Sequence, residues 1–270
     1  MKLIREKHTK ILRNHVTHVD QADYEEIISC KSLIFDILKV SDSLVTIFDF
    51  HHLNYAYIGP QFHELLGPSF YAPLGKQSNA SFYELVHPGD LYNLYKTDCN
   101  GYERFHLQPH SEREHYSMTC QFRIRTVTGE YIRFHRRMIP LKYDKKNNLW
   151  LLYCIFDILP KKNDKETPEA WLINKKKLTK ESLLGNQSMI KAERILTKYP
   201  LKLLQLINKG QTTDEIAEIL HISRITVYNH RRNIIANTKS DTMEQASYKI
   251  KLFGLLKMWI LILVQFADCS

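Results

Sequence analysis

The 270-residue chain contains little glycine, proline or cysteine, with nine, nine and five residues. So little glycine and proline excludes a collagen-like chain, and a hydrophobic content of 44% excludes a disordered one. The five cysteines never occur as C-x-x-C, which excludes a disulfide framework and a structural zinc site. Their odd number predicts a reducing, cytoplasmic location. The length suits one large domain or two modest ones.

Long apolar runs and catalytic motifs are also lacking. The apolar segment near the C-terminus is uninterrupted only over residues 258–264, far short of the roughly 20 residues that span a bilayer, so no membrane span is predicted. Residues 258–270 are interpreted as a tail that packs on a dimer interface or on the other domain, or lies on a membrane. The first 20 residues are too polar for a secretory signal. Without a phosphate-binding loop or a nucleophile beside a base, no enzyme is predicted.

The net charge of +9 is unevenly distributed along the chain. Residues 1–160 carry 19 basic and 18 acidic side chains, whereas residues 161–270 carry 19 basic and 11 acidic ones. A nearly neutral first part and a basic second part predict a sensor or scaffold joined to a segment that binds nucleic acid or an anionic membrane. A merely basic surface is the alternative that charge alone leaves open.

A polar run with proline at both ends, residues 160–168, separates the two parts and predicts a linker over 161–193. Apolar residues at spacings of three and four, among them Tyr24 and Ile27, predict a helical extension over residues 1–31. The sequence therefore predicts a sensor domain over 32–160 and a second domain over 194–257, followed by the tail.

Alternating apolar and polar residues in the first part predict an antiparallel sheet. A turn at His51 and His52 joins the first two strands, and a short helix is predicted over 60–66. Tight polar turns join the last three strands into a meander. The five predicted strands cover residues 44–50, 53–58, 118–125, 131–141 and 149–159.

This order of two strands, short helices and three strands resembles the PAS fold. The family's H-P-x-D helix entry is similar to His87, Pro88 and Asp90 of this chain. The residue pair that ends the family's last strand is similar to Asp157 and Ile158. The resemblance implies a cavity between sheet and helices, a usual place for a small ligand. The segments that carry the resemblance are 43–50, 60–67 (PQFHELLG), 82–91 (FYELVHPGDL), 121–130 (QFRIRTVTGE) and 150–159.

The sequence predicts no cofactor and leaves open which small ligand, if any, the PAS-like cavity binds. The flavin photosensors of this family need a cysteine in a short helix, and the comparable residues 75–80 contain none. Four histidines could ligate haem or have structural roles. The structural roles are favoured, because Pro109 lies between His106 and His110 and argues against a regular helix there. Cys120 and Cys154 lie on predicted strands and are expected in the core. The histidines considered are His87, His106, His110 and His115.

The second part predicts four helices. The first ends at Gly210, Thr212 with Glu215 caps the second, and Ser223 caps the third. A turn of three to four residues between the second and third helices is helix-turn-helix spacing. The predicted core face of the second helix holds Ile216, Ala217, Ile219 and Leu220.

This part resembles the LuxR-type (GerE-like) helix-turn-helix domain over residues 194–256. Tyr199 and Pro200 replace the Arg-Glu pair that the family usually has, so a salt bridge is in doubt. Tyr228 stands where the family usually has a lysine, and this difference is expected to change which DNA bases the domain reads. The residues that carry the resemblance are Leu196, Thr197, Gly210, Glu215, Ile216, Ala217, Leu220, Ile222, Ser223, Thr226, Val227, His230, Asn233, Ile234, Gly254 and Leu255.

The resemblance implies how DNA would be contacted, because the N-terminal half of a recognition helix faces base edges in the major groove. Val227 is expected in the core or against a thymine methyl group, and His230 within the domain or against a phosphate. The predicted base-reading residues are Tyr228, Asn229 and Arg232. The predicted phosphate contacts are Arg224, Thr226, Arg231 and Lys239. The predicted dimerisation face of the fourth helix comprises Ala246, Ile250 and Phe253.

The predicted fold class is α+β, with a PAS-like five-stranded antiparallel sheet and helices followed by an all-α four-helix domain. The predicted function is a bacterial transcription regulator that senses a small ligand or a protein signal. It is expected to bind an inverted-repeat operator in double-stranded DNA as a homodimer, with RNA polymerase as a further candidate partner. The alternative is a protein-interaction PAS module with an electrostatic, non-specific DNA anchor.

Overall fold

The chain divides into two compact units, residues 1–172 with 181–188 and residues 173–180 with 189–270. No helix in the part of the chain that the structure describes is long and apolar enough to cross a membrane. The structure is a computed structural model that describes residues 1–25, 44–67, 80–159, 169–177, 179–185, 190–191, 198–238 and 240–252.

Within the described residues, eight strands form one sheet in the order β2-β1-β5-β4-β3-β6-β7-β8. The five predicted strands are confirmed as β1 to β5, and β1 pairs antiparallel with both β2 and β5. β4 pairs antiparallel with β3 and β5, which is the predicted meander. The strands are β1 (Leu44–Asp49), β2 (Asn54–Ile58), β3 (Tyr116–Arg125), β4 (Tyr131–Tyr143), β5 (Leu149–Leu159), β6 (Ala170–Asn174), β7 (Thr179–Ser182) and β8 (Ile190–Lys191).

The sheet has three more strands than the sequence predicted. β6, β7 and β8 lie within the range 161–193 that was interpreted as a linker. All five residues of β6 are buried, because its Ala-Trp-Leu-Ile run is apolar. The polar composition of residues 161–168 obscured this short run. Residues 160–168 lie outside the described residues, and the domain limits stay a prediction.

Helices α1 to α5 belong to the first unit. The predicted short helix over 60–66 is confirmed as α2. Of the helical extension predicted over residues 1–31, α1 covers Lys2–Asn14, whereas residues 15–20 are not helical and Ile27 lies outside the described residues. The helices are α1 (Lys2–Asn14), α2 (Gln61–Leu66), α3 (Ala80–Leu85), α4 (Pro88–His106) and α5 (His110–Arg113).

The predicted H-P-x-D entry begins helix α4. His87 is the N-cap, and its Nδ1 accepts a hydrogen bond from the Gly89 amide at 3.1 Å. Asp90 in the first turn accepts bonds from the Arg123 amide (2.8 Å), Nε (3.0 Å) and Nη2 (2.8 Å). Burial raises the pKa of Asp90, but the Arg123 hydrogen bonds outweigh it and hold the pKa below its usual value. These bonds fasten α4 to strand β3.

Aromatic rings fill the core between the sheet and its helices. Their contacts are mostly edge to face, with centroids 5.2–6.4 Å apart. Ile155 packs with Val45 on the opposite face of the sheet, because neighbouring strand residues alternate between faces. The rings belong to Phe62, Phe82, Phe122, Phe134 and Phe156.

The second unit contains the four predicted helices. One core joins them, and it includes Leu203, Leu204, Val227 and Ile234. Ile219 was wrongly predicted in this core and is 45% exposed, because it lies about 100° around the helix from Leu220. The helices are α6 (Lys198–Asn208), α7 (Thr213–Leu220), α8 (Arg224–Thr238) and α9 (Met243–Leu252).

Candidate DNA-binding surface

Helices α7 and α8 form a helix-turn-helix, and a side chain caps the N-terminus of each helix. Thr212 Oγ1 accepts a hydrogen bond from the Glu215 amide (3.3 Å), and the Glu215 carboxylate accepts one from the Thr212 amide (2.7 Å). The two bonds form a complete capping box. His221 ends α7 in the left-handed conformation, with φ of 53°. Ser223 Oγ accepts from the Thr226 amide at 3.1 Å and starts α8. The predicted caps are therefore confirmed.

Helix α8 has one buried and one exposed face. Val227 and Ile234 are 0% and 1% exposed and pack in the core of the unit. Tyr228 is 56% exposed, and Asn229 and Arg232 are exposed as well. Full burial removes the thymine-contact alternative for Val227, which is a core residue. The three predicted base-reading residues share the solvent side of α8.

The predicted phosphate contacts have different surroundings. Arg224 Nε is paired with Asp214, and both side chains are more than half exposed. Thr226 Oγ1 lies 2.8 Å from Ser223 Oγ in the helix cap. Arg231 is half-buried, and its Nε has no hydrogen-bond partner among the described residues. Lys239 lies outside the described residues.

Tyr199 makes packing contacts between the helices of the second unit. Its hydroxyl donates to the Leu220 carbonyl at 3.3 Å, which ties α6 to the end of α7. Its ring lies nearly parallel to the His230 ring, with centroids 6.1 Å apart. His230 therefore has the packing role within the domain that was one of its two expected roles.

The predicted dimerisation face of α9 needs correction. Ala246 and Ile250 are 0% and 1% exposed and belong to the core of their own chain. The helix periodicity correctly placed both residues on one apolar face, but that face packs against α6 and α8. Phe253 lies outside the described residues. A dimer through α9 would use its other faces.

The interior of the first unit contains a buried ion pair that sequence reasoning missed. Arg136 on β4 donates to Asp98 on α4, with side chains 9% and 12% exposed. The Tyr83 hydroxyl donates to the other Asp98 oxygen at 2.6 Å and lies 3.2 Å from Nε2 of His8 on α1. The Arg136 guanidinium also lies 5.6 Å from the centre of the Phe122 ring. Alternation along β4 was the available signal, since it places Arg136 on the same face as Phe134.

The histidines considered as haem ligands are separately engaged. His106 Nδ1 bonds to the Tyr102 carbonyl (2.8 Å) and His110 Nδ1 to the Asn147 carbonyl (3.1 Å). Among the described residues, no three His, Cys, Asp or Glu side chains form a group that could hold a metal ion. Burial lowers the pKa of His106 to about 4, which keeps its ring neutral.

The described cysteines are core residues, as predicted for two of them. Cys99, Cys120 and Cys154 are buried and unpaired. Burial raises the pKa of their thiols to about 12, 11 and 12. Thiols with such pKa values are poor nucleophiles at neutral pH.

Comparison with known proteins identifies the second unit. Residues 194–242 match the family described as GerE, bacterial regulatory proteins, luxR family. No curated protein matches the sequence. The helix-turn-helix is thus part of a LuxR-type DNA-binding domain. The family is one of regulators and not of enzymes, in agreement with the prediction.

Solved structures that match most of the chain superpose on it with low TM-scores. A Vibrio cholerae VqmA dimer has a TM-score of 0.32 at 12% identity, covering 84% of this chain and 90% of its own. Escherichia coli SdiA has a TM-score of 0.25 at 14% identity, and the match covers 95% of this chain and 100% of SdiA. The PAS-B domain of Drosophila melanogaster Cycle has a TM-score of 0.30 at 12% identity, and the match covers 43% of this chain and 99% of the PAS-B domain.

Proposed function

We propose that the chain is a cytoplasmic bacterial transcription regulator that binds an inverted-repeat operator as a homodimer. The observation that carries the proposal is the solvent-exposed face of α8, which bears Tyr228, Asn229 and Arg232. Arginine donates to guanine O6 and N7, and asparagine pairs with adenine N6 and N7. A two-fold dimer would place two such helices about one DNA turn apart. RNA polymerase is a candidate partner at the promoter.

Contacts to phosphates would position α8 in the groove. We propose Arg224, Thr226, Arg231 and Lys239 for this role. Arg224 is the most accessible of the three that the structure describes, and binding would exchange its exposed contact with Asp214 for a phosphate. Such a pair contributes little to stability in water, so the exchange is inexpensive.

Selection of bound DNA from a random library tests the proposal. The full-length protein is compared with Arg232→Ala and with Lys202→Ala, which removes the same charge from an exposed position on α6. We expect a palindromic site that loses its preference at one position of each half-site in Arg232→Ala, with binding weakened about tenfold or more. Lys202→Ala should keep the site. Binding without sequence preference would contradict specific recognition and favour the non-specific anchor.

We also propose that the PAS-like unit controls DNA binding by responding to a small ligand. The buried Arg136 and Tyr83 are polar groups within its aromatic interior, and a ligand there would exchange hydrogen bonds with them. Control requires that the ligand bind two states of the dimer with different affinities. Native mass spectrometry of the protein purified from bacterial cells tests this, because a bound molecule adds a defined mass that denaturation removes.

A second candidate is a PAS-like unit that docks a protein instead of a ligand. The close contacts among Phe122, Phe134 and Phe156 favour it, because these rings occupy the space that a ligand would need. A preparation without any added mass, whose DNA binding nevertheless depends on a protein partner, would support this candidate over the ligand sensor.

A further inference from the structure

One large apolar side chain on the exposed face of α8 has no role in the proposed set of DNA contacts. Ile225 is 71% exposed, more than any other large apolar side chain that the structure describes in the four C-terminal helices. A single exposed isoleucine is ordinary on a protein surface. Its position on the helix, and not its exposure alone, makes it informative.

The helical period places Ile225 with the proposed base-reading residues. At about 100° per residue, Ile225 lies about 40° around the axis from Asn229 and about 20° from Arg232. Buried Val227 is about 160° away from Ile225, on the core side. Ile225 therefore projects from the same side of α8 as the two polar residues that would face base edges.

The axial spacing also suits base contact. Ile225 precedes Asn229 by one turn, or about 6 Å along the axis, and stacked bases are about 3.4 Å apart. Its side chain would reach one or two base pairs away from the pair that Asn229 contacts. An aliphatic side chain can offer a base edge only an apolar contact, and the one apolar group in the major groove is the thymine methyl.

We propose that Ile225 is a specificity-determining residue that recognises a thymine methyl group in each half-site. This inference rests on the proposed function, because it requires α8 to enter the major groove. Val227 was one candidate for this contact from sequence, and its complete burial removes it. Ile225 supplies the same chemistry from the exposed face.

The test uses the DNA duplex selected by the wild-type protein, with each thymine replaced in turn by deoxyuridine in both half-sites. Deoxyuridine lacks only the methyl group. At one thymine position, we expect the replacement to weaken DNA binding by the wild-type protein about fourfold per half-site. This is the effect expected when one buried apolar carbon is lost from an interface. In Ile225→Ala the same replacement should have no effect, and Ile225→Val should retain part of it.

Ile219→Ala is the matched control, because it removes an exposed isoleucine from α7 and should leave the deoxyuridine effect unchanged. A selected duplex in which every deoxyuridine is neutral would overturn this inference alone. So would a deoxyuridine effect of equal size in wild type and Ile225→Ala. Failure to select any site would instead overturn sequence-specific binding, and the inference with it.

Discussion

Arg136 and Asp98 form the most deeply buried ion pair among the described residues of the first unit. Removing one partner leaves a buried charge without compensation, which typically costs about 3–5 kcal/mol. We expect Asp98→Asn to lower the free energy of unfolding by this amount, also because Tyr83 loses the carboxylate that it bonds. Urea unfolding of the full chain, followed by tryptophan fluorescence, measures the change.

The matched control is the exposed pair of Lys7 and Glu103, whose side chains are 45% and 46% exposed. Lys7→Ala should cost less than about 1 kcal/mol, since water already solvates both charges. The double variant Asp98→Leu with Arg136→Met should recover part of the stability that Asp98→Asn loses. Equal small losses in Asp98→Asn and Lys7→Ala would show that the buried pair does not stabilise the unit.

At the residue scale, sequence patterns located the helix faces better than the roles of individual side chains. Val227 and Ile225 are both β-branched residues of α8, and only the packing of the unit shows that the first is buried and the second exposed. Likewise, the period of α9 placed Ala246 and Ile250 on one face. The same period suits a dimer contact and an internal core, so burial had to distinguish them.

At the element scale, the capping box of α7 fixes where the helix-turn-helix begins. Thr212→Ala removes the side-chain acceptor for the Glu215 amide, and loss of an N-cap costs about 0.5–2 kcal/mol. We expect a lower unfolding free energy of the second unit and faster hydrogen exchange in the first turn of α7. Thr213→Ala, one residue later and inside the helix, should change both much less. Equal effects of the two substitutions would exclude a specific capping role.

Elements with a strong period were predictable, and elements specified by distant contacts were not. Strands β3 to β5 and helices α6 to α8 have clear alternation or caps, and each is confirmed. Strand β6 has only five residues beside a highly charged segment, so its local signal was too short. Its place beside β3 depends on pairing across the sheet, which no local window contains.

At the scale of the whole molecule, buried and half-buried histidines make stability depend on pH. Burial lowers the folded-state pKa of His8, His15, His106 and His135 below 6.5, for His106 to about 4. Below pH 6.5 the unfolded chain therefore binds more protons than the folded one, and stability falls. His106 alone should account for a loss of about 2 kcal/mol between pH 7 and pH 5, and the other three histidines should add to it. Urea unfolding at the two pH values measures the total.

His106→Gln should reduce this pH dependence, because it removes one proton-binding site of the unfolded chain. His63→Gln on α2 is the control, since it makes the same replacement at an exposed histidine of the first unit. The stability that the neutral histidines confer is fully present above pH 6.5. An unfolding free energy that stays constant from pH 7 to pH 5 would contradict the buried, neutral state of these rings.

The salt dependence of DNA binding reports how many copies of the chain engage one operator. Each phosphate neutralised contributes about −0.9 to the slope of log K against log salt. If Arg224 contacts one phosphate per protomer, Arg224→Ala should reduce the slope by about 1.8 in a dimer and by about 0.9 in a monomer. Lys202→Ala should leave it unchanged. An unchanged slope in Arg224→Ala would mean that Arg224 keeps its contact with Asp214 on DNA, whereas a change near 1.8 requires two recognition helices on one site.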